Sequence, residues 1–232
     1  MPRLLTHALG MRSLGSRCHS FHQIVGLQGD VLDTMASIAL LKPSALVPLD
    51  HLPVSRLRRD AFKLHGVCRF RRTGDDFVAH KIALHPELLD DERWHGYARF
   101  VLYHEYLHAL GFRRHNSTFR TLERLWDYTP LGRADAAVLE VASSGGTLSD
   151  AKPPIRELGA WSFTNHLIAR QYPWTWVCPN CKRLHHRKRR QNGRLTCANP
   201  IHARGTPLFD VPTVEAIAWA PRAMLRATSV SD

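Results

Sequence analysis

The spacing of apolar residues predicts three helices in the middle of the chain. They cover about 94–112, 117–126 and 134–142, and the first shows apolar positions at clear helical spacing. Acidic residues at 90–92 precede it and suit the positive end of a helix dipole. Gly111 predicts its end, because glycine takes the left-handed conformation that stops a helix. In the second helix, Phe119, Leu122 and Trp126 fall on one face.

The segment before these helices predicts a β-hairpin. Residues 67–71 and 77–84 form short, partly alternating runs, and 73–76 supplies turn chemistry between them. Weaker patterns predict helices over 31–41 and 54–64, and prolines predict irregular structure over 42–54.

Changes in composition predict a main domain and a smaller cysteine-rich module. Residues 1–29 contain three arginines and no acid, and a Ser/Gly segment followed by prolines marks a linker near 143–154. The predicted segments are a poorly ordered basic arm (1–30), a main domain (31–145), a linker with a helix (146–171), a cysteine-rich module (172–212) and a tail (213–232).

Charge and cysteine content narrow the classes of partner and compartment. The 232-residue chain has a formal net charge of +12, which favours an anionic partner, nucleic acid first and an anionic membrane surface second. It has no apolar stretch of about 18 residues and no apolar core of a secretory signal. We therefore expect no membrane span and a cytoplasmic location, with nucleoid or nuclear association open. Three of the five cysteines lie in one short segment, which favours metal ligation over disulfides.

The most specific chemical signal is the HExxH pattern of His104, Glu105 and His108. Residues four apart share one face of a helix, so both imidazoles can bind one zinc ion. Zinc lowers the pKa of a bound water, and a neighbouring carboxylate can accept its proton during attack on a carbonyl. The pattern predicts a zinc hydrolase with Glu105 as general base. We expect Tyr103 and Tyr106 to be core or rim residues rather than oxyanion stabilisers.

A catalytic zinc ion usually takes a third protein ligand, and His115 is the first candidate. On a straight helix His115 would lie about 10 Å beyond His108, too far to share the metal. It becomes a ligand only if the helix ends near Gly111 and the chain folds back. Glu123 and Glu140 are alternative ligands from later helices, and a place beside the cap of the next helix is the structural alternative for His115.

These residues resemble the SprT-like metallopeptidases and their WLM and YgjP-like relatives. The shared features are HExxH at 104–108, then His115 followed by a small polar pair and the aromatic Phe119. The resemblance implies an α+β fold: a small zincin (minigluzincin-like) domain over 31–145, with a β-hairpin or sheet and the HExxH helix, followed by a zinc ribbon. It implies a zinc-dependent endopeptidase with one catalytic zinc ion and, in the Spartan branch, cleavage of proteins crosslinked to DNA. A metzincin would have its third histidine at Arg114 and fits less well.

The cysteine-rich module predicts a second, structural zinc ion. Its expected ligands are Cys178 and Cys181, which form a CxxC pair, then Cys197 and His202. His185 and His186 are alternatives to His202 as the fourth ligand. A redox CxxC is less favoured, because no βαβ pattern surrounds it.

A run of cations inside the module predicts a contact with nucleic acid. The chain has no acid between Cys178 and Leu208. We expect sequence-independent, salt-sensitive binding to single-stranded or duplex DNA. Trp174 and Trp176 either stack on unpaired bases or pack in the core of the module. The predicted contact residues are Lys182, Arg183, Arg187, Lys188, Arg189 and Arg190.

Three functions remain open on the sequence alone. The first is an intracellular zinc peptidase that its basic module directs to nucleic-acid-associated proteins, such as DNA–protein crosslinks. The second is a non-catalytic, zinc-ribbon nucleic-acid-binding protein with a peptidase-like fold, and Glu105 argues against it because a binding protein needs no general base. The third is a peptidase whose module contacts only protein. In a peptidase, residues 80–84 either pair with an extended substrate or form an ordinary structural strand. The sequence indicates no oligomeric state.

Overall fold

The structure, a computed structural model, describes residues 15–61, 63–144, 155–181, 184–189, 196–197 and 207–212. Within these ranges the fold is α+β, as predicted, with seven α-helices and two three-stranded sheets. The helices are α1 (Gly15–Ala36), α2 (Pro43–Asp50), α3 (Pro86–Asp90), α4 (His95–Ala109), α5 (Ser117–Leu125), α6 (Pro130–Ser144) and α7 (Ile155–Gln171). The strands are β1 (Val54–Arg56), β2 (Gly66–Thr73), β3 (Asp76–Leu84), β4 (Trp174–Val177), β5 (Leu184–Arg187) and β6 (Phe209–Pro212). The chain divides into unit 1, residues 1–57 with 66–123, and unit 2, residues 58–65 with 124–232.

The sheet of unit 1 has the strand order β1-β3-β2 and contains the predicted hairpin. β2 and β3 pair antiparallel through a tight turn in which Gly74 has φ +64°, a left-handed value that glycine adopts without strain. β1 pairs parallel with the other edge of β3 and places Val54 opposite Ile82. Residues 82–84 are therefore paired on both sides. For them the expectation of an open edge that binds substrate is wrong, and the ordinary structural strand is correct.

Helix α4 runs through the core of unit 1 and is buried on nearly every side. The Tyr103 hydroxyl donates to the Leu122 carbonyl, and the Tyr106 hydroxyl accepts from Gln28, so both tyrosines are core residues, as expected. A 3-10 turn at Glu92–Trp94 precedes α4. The buried residues of α4 are Tyr97, Ala98, Phe100, Val101, Leu102, Tyr103, Glu105, Tyr106 and Leu107.

The N-terminal part differs from the predictions in three places. Residues 15–30 belong to α1 rather than to a poorly ordered arm, and residues 1–14 lie outside the described ranges. The signal that was missed is the four-residue spacing of Leu27, Val31 and Met35, which are buried. α2 replaces the irregular segment, since Pro43 stands in its first turn, where a missing N–H costs nothing. β1 replaces the start of the helix predicted over 54–64, because its pairing with β3 overrides the weak local pattern.

Unit 2 contains α6, α7 and the second sheet. α6 includes the helix predicted over 134–142, and α7 lies in the segment predicted to combine a linker with a helix. β4 is the central strand and pairs antiparallel with β5 and with β6. Residues 145–154 and the tail at 213–232 lie outside the described ranges. No helix in the described part of the chain is both long and apolar enough to cross a bilayer.

Candidate metal centres

The turn after α4 brings a third histidine back to the helix. Gly111 takes φ +103°, a left-handed value that residues with side chains rarely adopt. The chain then reverses, and α5 begins directly after Asn116. The side-chain oxygen of Asn116 accepts a hydrogen bond from the Phe119 N–H at 3.0 Å. His115 lies on this return path. The predicted reversal at Gly111 is thus confirmed.

Three imidazole nitrogens converge at the end of α4. Nε2 of His108 lies 3.2 Å from Nε2 of His104, and Nε2 of His115 lies 3.1 Å from that of His104 and 3.0 Å from that of His108. Nitrogen ligands roughly 2.0–2.1 Å from a tetrahedral zinc ion stand about 3.3 Å apart, so the triangle has the size of a zinc site. The three histidines form a group that could hold a metal ion.

Hydrogen bonds on the far side of two rings determine which nitrogen faces the centre. Nδ1 of His104 lies 2.7 Å from a Glu123 carboxylate oxygen, and Nδ1 of His108 lies 2.7 Å from the Phe112 carbonyl oxygen. Both partners only accept hydrogen bonds, so each Nδ1 carries the proton and each Nε2 presents a lone pair. Lone pairs this close repel one another unless a cation lies between them.

Burial favours the neutral imidazole, which is the form that binds a metal. Partial desolvation of its ring lowers the pKa of His115 to about 4 although the residue is exposed, and His104 and Arg120 act in the same direction. Burial also lowers the pKa of His108, opposed by its hydrogen bond to Phe112. Both shifts favour the neutral form of these two rings.

Helix α5 supports the triangle from below. Phe119 is fully buried, and its ring centroid lies 4.9 Å from that of His104 and 4.7 Å from those of His108 and His115. Glu123 is buried as well, and Arg120 donates to its second oxygen at 2.7 Å. Glu123, an alternative third ligand on the sequence, thus lies behind His104 and orients that ring. The side chain of Glu140, the other alternative, lies outside the described residues.

Glu105 is only 5% exposed and lies against β2. Burial raises its pKa to about 7, whereas His104 and a hydrogen bond from the Cys68 backbone N–H act to lower it. A Cβ atom at Gly66 would lie 3.0 Å from both Cγ and Oε1 of Glu105. The strand can pass this close to the carboxylate because residue 66 has no side chain.

A second group of ligand atoms lies in unit 2. The sulfur atoms of Cys178, Cys181 and Cys197 all lie within 4.8 Å of one another, and those of Cys181 and Cys197 are 3.8 Å apart. Thiolates about 2.3 Å from a tetrahedral zinc ion stand about 3.8 Å apart. None of the three forms a disulfide, and the cluster could hold a metal ion. Trp176 packs in the same small core. Of the two predicted roles, packing in the core of the module is therefore the correct one for this tryptophan.

The remaining predicted residues of the module are only partly described. Arg187, Lys188 and Arg189 are exposed at the end of β5. Among the described residues the cysteine cluster contains no histidine, and Nδ1 of His186 lies 2.8 Å from the Thr175 hydroxyl instead. His202, Lys182, Arg183 and Arg190 lie outside the described residues.

Several supporting residues were missed on the sequence. One sequence signal could have indicated that Glu123 lies behind His104. Glu123 is four residues after Phe119 and so shares a face of α5 with it. Gly66 has another, since an isolated glycine in a strand often marks a close approach of neighbouring atoms. The Phe112 carbonyl has none, because backbone acceptors do not depend on residue type.

Comparison of the chain with protein-family profiles, with curated proteins and with solved structures finds no match. The functional assignment therefore depends on the residues and geometry of this chain alone.

Proposed function

We propose that this protein is a zinc-dependent endopeptidase of the SprT-like type, with a small zincin domain and a zinc ribbon. The observation that carries the proposal is the triangle of Nε2 atoms, with sides of 3.0–3.2 Å, together with the buried Glu105, which follows His104 in the helix and interacts with its charge. Three protein nitrogens with one position left for water or substrate are typical of catalytic zinc. Three thiolates, completed by His202 as we propose, are typical of structural zinc.

Different residues of the chain have different roles in peptide hydrolysis. Zinc, when bound, supplies a Lewis acid that makes a water molecule acidic near neutral pH. His104, His108 and His115 hold the ion, and Glu123 fixes the ring of His104 through Nδ1. Glu105 accepts the proton of the attacking water on its carboxylate and then donates it to the departing amine nitrogen.

The burial of Glu105 suits this proton transfer. A general base works best when its pKa is near the working pH, and burial raises the pKa of Glu105 to about 7. A cation among the histidines would lower this value, because it favours the charged carboxylate. Burial and a bound cation would therefore act on this pKa in opposite directions.

We further propose that the substrates are proteins associated with nucleic acid. The support is the net charge of +12, the acid-free segment between Cys178 and Leu208, and the exposed side chains of Arg187, Lys188 and Arg189. Clustered cations of this kind bind phosphates without reading sequence. Because Trp176 is buried, base stacking would depend on Trp174.

Substitution of Glu105 tests the enzymatic proposal. Glu105→Gln keeps the size of the side chain but removes the base, so cleavage of casein should fall by about 100-fold or more while zinc content stays unchanged. Glu92→Gln is the matched control, because Glu92 is exposed. Equal cleavage by wild type and Glu105→Gln would contradict the proposal. Zinc and DNA binding without any cleavage would favour the non-catalytic alternative.

Charge reversal tests the nucleic-acid proposal. Replacement of Arg187, Lys188 and Arg189 by glutamate should weaken binding to single-stranded DNA and reduce its salt dependence. The matched control reverses three exposed cations elsewhere, Lys42, Arg58 and Arg133, and produces the same change in net charge. An equal loss in both variants would show that total charge matters, not the module.

A further inference from the structure

His115 differs from the other two histidines in the way it is held. Nδ1 of His104 and of His108 each donates a hydrogen bond to a fixed acceptor. Within the described residues, Nε2 of His115 lies close to Nε2 of the other two imidazoles, and no acceptor holds the far side of its ring, which is exposed. Its position therefore depends on the path of the loop at 110–116.

Arg113 connects this loop to the hairpin. Its guanidinium carbon lies 5.2 Å from the ring centroid of Phe70 on β2 and 5.2 Å from that of Phe77 on β3. Its NH2 group also donates to the Phe77 carbonyl at 2.6 Å. A cation over an aromatic face is attracted to it, and the planar guanidinium suits stacking and directed hydrogen bonding together.

Two further contacts fix the loop on either side of His115. The Phe112 carbonyl accepts from Nδ1 of His108 at 2.7 Å, and Asn116 caps α5 through the Phe119 N–H at 3.0 Å. Arg113 is thus the last fixed side chain before His115, and Asn116 is the first after it. The path between them leaves His115 little freedom.

We propose that Arg113 is a positioning residue for the metal centre. Its contacts with Phe70 and Phe77 hold the loop where Nε2 of His115 meets the other two imidazole nitrogens. Without these contacts the metal ion would have to order the loop on binding, and its affinity would fall. The inference rests on the proposed zinc centre and adds a residue outside the histidine cluster.

Zinc affinity, measured by chelator competition on the full chain, tests the inference directly. Arg113→Ala should weaken binding at the histidine centre by about 10- to 100-fold, the usual effect of removing a contact that orients a ligand. Arg113→Lys keeps the charge but loses the planar group, so its affinity should be intermediate. The matched control is Arg114→Ala, which removes an adjacent exposed cation that makes no hydrogen bond or ion pair with the described residues.

A second variant guards against misfolding of the first. Phe77→Leu removes one aromatic ring while the backbone carbonyl stays. It should therefore lower the affinity for zinc less than Arg113→Ala does. Its control is Val78→Ala at the next exposed position. Circular dichroism of the metal-free wild type, Arg113→Ala and Phe77→Leu should show the same folded content. If Arg113 acted only on the stability of the fold, the variants would instead lose folded content.

The outcome also separates this inference from the proposed function. The zinc equivalent lost in His108→Ala identifies the histidine centre and excludes the cysteine cluster. If wild type binds zinc there and Arg113→Ala and Phe77→Leu bind it equally well, only the role of Arg113 is overturned. If wild type binds no zinc there, both proposals are overturned.

Discussion

At the scale of single residues, Gly66 determines how much room Glu105 has. A methyl group at position 66 would approach the Val101 side chain to 2.7 Å and Glu105 to 3.0 Å. Gly66→Ala should therefore displace the carboxylate and lower casein cleavage, by about 100-fold if the displacement reaches about 1 Å. Zinc content should stay the same. The control is Gly29→Ala, which places its methyl group in open space on α1, and full activity of Gly66→Ala would contradict this role.

Glu123 holds His104 from behind. Glu123→Gln keeps the shape but removes the charge that strengthens the hydrogen bond to Nδ1 at 2.7 Å. It also leaves Arg120 without its ion pair at 2.7 Å. Zinc affinity in chelator competition should fall by about tenfold or more. Glu92→Gln should have no effect, and an unchanged affinity of Glu123→Gln would show that the contact does not tune the site.

Cys68 gives a pH-dependent prediction. Burial, followed by the nearby charge of Glu105, raises the pKa of its thiol from 9.0 to about 12. The folded protein therefore favours the protonated thiol, and the stability that this contributes is present below pH 9.0 and lost between pH 9.0 and about 12. At pH 8, iodoacetamide should modify Cys68 far more slowly in the folded protein than in denaturant, as peptide mass spectrometry can measure. Equal rates would contradict the burial of this thiol.

At the scale of elements, α5 is a platform on which the three candidate ligand rings pack. Phe119→Ala removes a fully buried ring that packs on all three imidazoles, so the free energy of unfolding should fall by about 3–5 kcal/mol. Denaturant unfolding of the metal-free protein measures it. Thr118→Ala at the exposed neighbour should stay within about 0.5 kcal/mol. A similarly small loss for Phe119→Ala would mean that the platform contributes little.

The sequence predicted the elements whose pattern is local. α4, α5 and the hairpin follow from periodicity and turn residues, and the reversal at Gly111 follows from the conformation of glycine. β1 was missed because a three-residue strand depends on its partner rather than on its own pattern. From the sequence, the convergence of the Nε2 atoms could be predicted only under the condition that the chain reverses after the helix. It also depends on the contact of Arg113 with Phe77, 36 positions away, which no local pattern predicts.

At the scale of the whole molecule, the described residues include two clusters of different chemistry that could hold a metal ion, one in each unit. The histidine cluster lies in unit 1, and two of its three rings come from a helix that is buried on nearly every side. The cysteine cluster has a small core that includes Trp176 and Leu208. A small apolar core commonly gains stability from a metal ion that binds beside it. The CxxC spacing predicted this second cluster, whereas His202, the expected fourth ligand, lies outside the described ranges.

Binding of one zinc ion by all three histidines can be seen in crystals of the full chain by diffraction at the zinc absorption edge. We expect one anomalous peak bounded by Nε2 of His104, His108 and His115, and a second at the cysteine cluster. His108→Ala should lose only the first. A zinc-supplemented crystal without a peak at the histidines, or with the side chains of His104 and His108 turned apart, would contradict the account.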